Sequence, residues 1–280
     1  MVISPASPFT TRIQTVFLNE LEFKSRNFVS LMEMDLPRNS SNQNLQLKLR
    51  KTPLGMYPRH IPLDQSKAFS SPVVRSLGIC DGGWNWLSCF FPDVSQILPF
   101  EEVIWLGDGD SLDGMKICPF PYPTENLKWK VYEKIDQSCS DFAAQLELIK
   151  AKVIPEHLDL LLMDVFGFWG GRKDHEWINY GEMERFVRAF SGPLVVLLQP
   201  FGVLFKEVKL HLCGMQDQVF SLINFDYPAR LFIEGAKYSG SVELLRPSTG
   251  LSNVCMGSSL VLDPMDQNIH FVLFPHGIFP

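Results

Sequence analysis

The sequence has few of the patterns that would assign it at once to a common class of protein. Its six cysteines occur singly, without the CxxC pairs typical of zinc sites and redox centres, so reduced and mostly buried thiols are expected. Basic tracts are lacking as well: 25 Lys and Arg stand against 31 Asp and Glu, a net charge of −6. This balance argues against duplex nucleic acid or an anionic membrane as a partner and favours a small or metal-bridged ligand.

Long apolar runs are also missing. No uncharged apolar stretch approaches the roughly 18 residues that a membrane helix needs, and the N-terminus does not resemble a cleaved leader peptide, so we expect a cytoplasmic protein without a membrane partner. No GxGxxG opens a helix after a strand, which argues against a Rossmann oxidoreductase. The 280 residues, 46% of them hydrophobic, suffice for two domains.

The chain divides into three ranges by pattern. Residues 1–72 are punctuated by Pro and Ser and are predicted to form an N-terminal extension with a candidate first strand at 15–18 and a linker. Residues 73–192 alternate apolar strands with helices, as an α/β domain with a mainly parallel sheet does. Residues 193–280 contain only short strand-like runs between turns, which predicts a β-sandwich.

The predicted elements follow this division. In the α/β domain a helix begins near Ser138, with apolar positions at helical spacing, and a second helix covers 176–190. The run 158–166 is apolar enough for a central strand covered on both faces. The strands of this domain are predicted at 74–80, 103–106, 128–135 and 158–166, and those of the β domain at 194–199, 203–212, 219–223, 231–233, 242–245, 259–262 and 269–274.

Aspartates follow the predicted strands of the α/β domain. In an open α/β sheet, ligands bind outside the carboxyl ends of the strands, so these positions are candidates for a site. Carboxylates that converge there would repel one another unless a hard divalent cation lay among them, and oxygen ligation of this kind suits Mg²⁺ and phosphoryl transfer. The aspartates are Asp81, Asp108, Asp110, Asp136 and Asp141.

Glycines and one arginine accompany the aspartates. Gly82 and Gly83 follow the first of these strands, and a second Gly-Gly pair precedes Arg172. Residues without Cβ let backbone N–H groups approach phosphate oxygens, and a guanidinium can clamp a phosphate with two hydrogen bonds. Each loop alone is also a typical turn, and His175 has an alternative role as a helix cap.

Four of these segments, taken in order, resemble the thiamin pyrophosphokinase family over about residues 73–280. Residues 79–85 (ICDGGWN) are similar to its Asp-Gly-Gly-Ala-Asn strand end, and 106–111 (LGDGDS) to its Gly-Asp-Phe-Asp-Ser. Residues 136–142 (DQSCSDF) and 170–175 (GGRKDH) are the most specific matches. Similar segments of the β domain lie at 219–223, 235–238 and 248–253.

The resemblance implies a homodimeric, magnesium-dependent transferase that moves a diphosphoryl group from ATP to the hydroxyl of thiamin, giving thiamin diphosphate and AMP. ATP and Mg²⁺ would bind the α/β domain, and thiamin would lie between it and the partner's β domain. The residues implied are Asp108, Asp110, Asp136, Asp141 and Arg172 for catalysis; Asp81, Asp108, Asp110 and Asp141 for the metal; Asp81, Gly82, Gly83, Asn85, Gln137, Ser140, Asp174 and His175 for the nucleotide; and Ser252, Asn253 and Phe271 for thiamin.

Several positions depart from the family pattern. Ser138 stands where the family has an aspartate, Trp84 replaces a small residue, and Gly109 replaces a phenylalanine. These changes keep two alternatives open: a diphosphokinase for another hydroxymethyl acceptor, such as a pterin, and a relative that binds thiamin or nucleotide without turnover. Phe271 has an alternative role as an ordinary residue of the sandwich core.

Overall fold

A computed structural model describes the chain in segments separated by short gaps. They are residues 10–17, 28–35, 44–53, 73–81, 83, 102–109, 128–135, 137–153, 158–169, 173–198 and 201–275. Within these ranges we find no helix with the length and apolar character required to cross a membrane.

Strands dominate the secondary structure of the described residues. The strands are β1 (Thr10–Phe17), β2 (Phe28–Asp35), β3 (Asn44–Pro53), β4 (Val73–Cys80), β5 (Glu102–Gly107), β6 (Lys128–Glu133), β7 (Leu158–Phe166), β8 (Leu194–Leu198), β9 (Gly202–Lys206), β10 (Lys209–Cys213), β11 (Val219–Asn224), β12 (Ala229–Glu234), β13 (Gly240–Leu244), β14 (Asn253–Val254), β15 (Ser259–Pro264) and β16 (His270–Leu273). The helices are α1 (Asp141–Leu148), which runs on into a π-helical turn (Ile149–Val153), and α2 (Lys173–Ala189), and a 3-10 turn covers Pro247–Gly250.

The larger sheet has the strand order β14-β11-β16-β9-β8-β7-β1-β4-β5-β6. The six strands from β8 to β6 are parallel, which confirms the predicted parallel sheet, and the strands from β9 to β14 continue it in antiparallel fashion. From β1 the chain builds β4, β5 and β6 on one side and then β7 and β8 on the other. The order therefore reverses at β1, and open α/β sheets bind ligands outside the carboxyl ends of their strands, near such a reversal.

The smaller sheet packs against the larger one. Its order is β13-β12-β15-β10-β3-β2, and its pairs are antiparallel except for the parallel pair β3 and β10. Buried side chains of both sheets, among them Phe205 and Val203 from β9 with Leu210, Leu231 and Leu262, form one apolar cluster. The C-terminal strands therefore belong to a two-sheet arrangement, in broad agreement with the predicted sandwich.

Strands β7 and β8 are covered on both faces. Leu162, Val195 and Leu197 contribute to the cluster between the sheets, whereas the alternate residues Leu161 and Met163 pack in a second cluster on the helical side. Successive side chains of a strand point to opposite faces, so both must be apolar when neither face meets water. The prediction for the run 158–166 is confirmed. The helices supply Phe142, Leu146, Ile149, Met183, Phe186 and Val187 to the second cluster.

One strand prediction is wrong. The run 203–212 is predicted as one strand, but the chain turns within it and forms β9 in the larger sheet and β10 in the smaller one. Glu207 lies at the turn with φ of 57°, in the left-handed region, which no strand residue adopts. The charged residues Lys206, Glu207 and Lys209 mark this turn in the sequence, between the apolar residues of β9 and those of β10.

The sheets draw strands from all three predicted ranges. Strand β1 lies between β4 and β7, β3 pairs with β10, and β8 pairs with β7 across residue 192. The division into 1–72, 73–192 and 193–280 stays a prediction about folding units, since strand pairing alone does not define such units.

Candidate functional site

Three aspartates lie at the carboxyl ends of neighbouring strands or just beyond. Asp81 follows β4, Asp108 follows β5, and Asp141 begins α1 a few residues after β6. Strands β4, β5 and β6 are adjacent and parallel, so their ends meet at one edge of the sheet. We call Asp81, Asp108 and Asp141 the acidic edge.

Asp81 is fixed beneath the end of β5. Its side chain is completely buried, and its Oδ1 accepts a hydrogen bond of 3.2 Å from the backbone N–H of Gly109. Gly107 makes this approach feasible, because a Cβ added there would come within 2.5 Å of the Asp81 Cβ. Glycine at position 107 therefore lets the Asp81 carboxylate, at the end of β4, reach the loop that follows β5.

Asp108 is on the solvent side of the same loop. It is exposed, and its Oδ2 accepts a hydrogen bond of 2.7 Å from Nε2 of Gln137, across the gap between the ends of β5 and β6. The amide of Gln137 therefore sets the orientation of this accessible carboxylate.

The start of helix α1 places Asp141. Ser140 is the N-cap: its backbone is extended, and its Oγ accepts a hydrogen bond of 3.1 Å from the N–H of Ala143. The predicted start near Ser138 is therefore two residues too early. Asp141 stands in the first turn, where the helix dipole favours a negative charge.

Lys134 joins this group, although the sequence analysis did not single it out. Its Nζ lies 3.1 Å from Oδ1 of Asp141, and 8% of its side chain is exposed. Burial lowers the pKa of Lys134, but the hydrogen bond and charge of Asp141, with smaller contributions from Cys139 and Asp108, raise it above its ordinary value. The side chain is thus a fixed ammonium. Its position at a strand end among predicted carboxylates was the only sequence signal for it.

The Cys80 thiol lies at the end of β4, inside the acidic edge. Burial raises its pKa well above the usual value, the charges of Asp141 and Asp81 raise it further, and Lys134 opposes them. The thiol therefore stays protonated, and like the other described cysteines it is free. The charges of Asp81 and Asp141 thus both act on Cys80, and those of Asp141 and Asp108 both act on Lys134.

For the other predicted site residues of the α/β domain, the structure gives exposure and position in the fold. Gly83 is buried, while Asp174 and His175 are exposed in the first turn of α2, which packs against α1. Because α2 begins at Lys173, His175 lies inside the helix and not at its cap. The predictions for Gly82, Asn85, Asp110, Asp136, Gly170, Gly171 and Arg172 lie outside the described residues.

Ser252 and Asn253 lie far along the larger sheet, next to its edge strand β14. Ser252 is exposed with φ of 58°. The Asn253 side chain is buried, accepts hydrogen bonds from the N–H groups of Tyr238 and Val254, and donates one of 3.0 Å to the Tyr238 carbonyl. Its amide therefore ties two loops together.

Phe271 lies apart from these two residues, in β16. It is 1% exposed and packs on the helical side, with its ring 6.0 Å from that of Tyr180 and against Gly202. These contacts favour its alternative role in the core, since stacking on a ligand would require the ring to leave this packing.

The donor chemistry of the acidic edge fits a hard divalent cation in part. Carboxylate oxygens are the ligands that Mg²⁺ prefers, and an exposed Asp108 leaves room for water or phosphate oxygens. Asp141, however, already pairs with Lys134. Among the described residues no group of three His, Cys, Asp or Glu is close enough to hold a metal, and Asp110 and Asp136 are not among them.

Fold and site together define a mixed α/β protein whose candidate site is the carboxyl edge of a parallel sheet. No family model and no curated protein matches the chain. Solved structures do: thiamine pyrophosphokinase from Bacillus subtilis has a TM-score of 0.52 at 16% identity, covering 94% of this chain and 98% of that one. The enzyme from Geobacillus thermodenitrificans has a TM-score of 0.51 at 17% identity, covering 94% and 97%. The resemblance to thiamin pyrophosphokinases is confirmed for the fold.

Proposed function

We propose that the chain is a diphosphokinase-type transferase that moves a diphosphoryl group from ATP to the hydroxyl of thiamin and leaves AMP. The observation that supports this most is the acidic edge, in which Asp81, Asp108 and Asp141 stand at or beyond the carboxyl ends of adjacent parallel strands. It occurs in a fold similar to that of thiamin pyrophosphokinases, at the edge where such sheets bind ligands.

In this proposal the carboxylates of the edge hold Mg²⁺, which when bound would neutralise charge on the transferred phosphates. Asp108 is the most accessible of the three, and Gln137 orients it. Gly109 fixes Asp81 through its backbone N–H. We assign the remaining roles as follows: metal to Asp81, Asp108, Asp110 and Asp141; charge and proton handling to Asp136, Asp110 and Arg172; and nucleotide to Gly82, Gly83, Asn85, Gln137, Ser140, Asp174 and His175.

The acceptor is proposed to bind near Ser252 and Asn253, with a second copy of the chain completing the pocket. Three apolar side chains around this segment, Tyr238, Leu251 and Met256, are each more than half exposed. Apolar groups clustered on a surface often mark contacts with a partner or ligand. They support both the location of the acceptor site and a homodimer.

The test is incubation of the protein with ATP, Mg²⁺ and thiamin, followed by separation of nucleotides and thiamin esters. AMP and thiamin diphosphate in equal amounts are expected. ATP that stays intact with Mg²⁺, Mn²⁺ and Co²⁺ would reject the activity. Thermal shift with thiamin and with hydroxymethylpterin identifies the acceptor, because a true ligand stabilises the fold by mass action.

A second candidate function is binding without turnover. It is favoured by the uncharged Ser138, which is exposed three residues before Asp141, and by the pairing of Asp141 with Lys134. Thiamin binding without AMP formation, and turnover gained by Ser138→Asp, would support this candidate over the enzyme.

A further inference from the structure

Lys134 is held at the acidic edge by its backbone as well as by its side chain. Its N–H donates a hydrogen bond of 2.9 Å to the carbonyl of Gly107, which ties the residue after β6 to the end of β5. Only 8% of the Lys134 side chain is exposed to solvent. The ammonium therefore has a defined place and little freedom to move.

This place gives Lys134 an electrostatic role in the whole edge. Nζ contacts Asp141 directly at 3.1 Å, and its charge also interacts with Asp108 and with the Cys80 and Cys139 thiols. Carboxylates gathered at one edge repel one another, and a positive charge among them offsets that repulsion. The edge can therefore form before any metal binds.

The same charge acts against a bare divalent cation. A cation that approaches Asp141 meets an ammonium already paired with that carboxylate, and it must compete for the same oxygen. A polyphosphate that arrives with the cation brings negative charge, which offsets the ammonium. The electrostatics thus distinguish a free metal ion from a metal bound to phosphate.

We propose that Lys134 is a positioning residue that holds Asp141 in place and disfavours binding of bare Mg²⁺, so that the metal binds together with the phosphates of the nucleotide. This inference rests on the magnesium site of the proposed function. Lys134 acts through Asp141, and it needs no contact with the substrate.

The experiment measures Mg²⁺ binding to the full chain by calorimetry, alone and in the presence of a non-hydrolysable ATP analogue. For Lys134→Met we expect affinity for Mg²⁺ alone to rise about tenfold, the order of magnitude expected when one positive charge near a divalent cation is removed in a water-like dielectric. The increase in affinity caused by the analogue should shrink in the same variant.

Two variants control for charge and for position. Lys134→Arg keeps the charge and should bind Mg²⁺ like the unchanged chain. Lys130→Met removes a lysine from the same strand, where it pairs with Glu102 away from the acidic edge, and should leave Mg²⁺ affinity unchanged. Should Lys134→Met fail to fold, Lys134→Gln keeps a hydrogen-bond donor without charge and should show the same rise.

The outcomes separate this inference from the proposed function. Equal or weaker Mg²⁺ binding by both uncharged variants, or no Mg²⁺ binding by any variant, overturns the role of Lys134. A tenfold rise in a protein that forms no AMP supports Lys134 and rejects diphosphoryl transfer. AMP formation without any change in Mg²⁺ affinity supports diphosphoryl transfer and overturns the role of Lys134.

Discussion

The acidic edge and a second polar cluster, His270 with Asp266 and Asn224, use similar side chains in opposite ways. In the cluster His270 is fully buried, and its ring stacks on that of Phe205. The Nδ1 atom of His270 lies 3.0 Å from Nδ2 of Asn224, and the Nε2 atom of His270 lies 3.2 Å from Oδ1 of Asp266. Both ring nitrogens are thus occupied within the protein.

The acidic edge instead keeps charge open to a ligand. Asp108 is exposed, Asp141 is 28% exposed, and they are oriented by Gln137 and Lys134. The difference teaches that a buried group whose ring nitrogens both have protein partners indicates structure, whereas oriented but accessible carboxylates indicate a site. We expect substitutions to affect stability in the cluster and ligand binding at the edge.

The largest effect is expected for Asp108→Asn. Replacement of this accessible carboxylate by a neutral amide should lower AMP formation by about 100-fold or more, in the range found when one preorganised electrostatic group is removed from an active site. Unfolding in urea should change by less than about 0.5 kcal/mol, as is usual for a surface position. The control is Asp263→Asn, which removes a partly exposed carboxylate paired with Lys209 in the smaller sheet. Full activity in Asp108→Asn would show that the edge is not the site.

The corresponding change in the buried cluster is His270→Leu, which should affect stability and not ligand binding. Loss of the ring leaves Asp266 and Asn224 without their buried partner, and we expect the free energy of unfolding to fall by about 2–3 kcal/mol, measured in urea. Mg²⁺ binding should be unaffected. His211→Leu, at a partly exposed position of β10, is the matched control and should cost less than about 1 kcal/mol. A loss of Mg²⁺ binding in His270→Leu would contradict the separation of the two regions.

The pH dependence of stability should report the same cluster. Burial lowers the pKa of His270 below 6.5, and Asp266 opposes that shift in part. The unfolded chain then binds more protons than the folded one below about pH 6.5, so stability is present above that pH and is lost as pH falls toward the folded pKa. Urea unfolding between pH 5 and 8 measures this dependence of the free energy of unfolding on pH. His270→Leu should show a flatter profile, and identical profiles would contradict the assignment.

The smallest effect is expected at Gln145 of α1, one helical turn beyond Asp141. Its side chain is completely buried, and neither polar atom of its amide has a hydrogen-bond partner within the segments described. Replacement of an unpaired buried amide by an apolar group of similar size should stabilise the fold, and we expect about 1 kcal/mol for Gln145→Leu. Gln145→Ala is the control, because it leaves a cavity and should not stabilise. Destabilisation by leucine would indicate a bound polar partner there.

Much of the parallel sheet could be predicted from local pattern. Strand β7 matches its predicted range 158–166, and β4 and β5 agree with their predictions within one residue at each end, because apolar runs bounded by Asp and Gly are clear signals. The split between β9 and β10 was missed, since it depends on the left-handed backbone of Glu207, and the sequence around it was assigned to one continuous strand. The start of α1 was misplaced because Ser138 and Ser140 are equally good caps by type.

In the candidate site, too, some features could be predicted from local pattern and others could not. The convergence of Asp81, Asp108 and Asp141 could be predicted, because the carboxyl ends of adjacent parallel strands share one edge. The contacts within it could not: Gly109 with Asp81, Gln137 with Asp108 and Lys134 with Asp141 depend on how loops from different strands approach each other.

By itself the sequence determined where most strands of residues 73–280 and both helices lie, since apolar periodicity and turn residues act over a few positions. Only the tertiary structure decided that Lys134 pairs with Asp141 and that Phe271 is buried with its ring next to that of Tyr180. Those outcomes come from the order and packing of strands distant in sequence, and no local pattern encodes the distance between them.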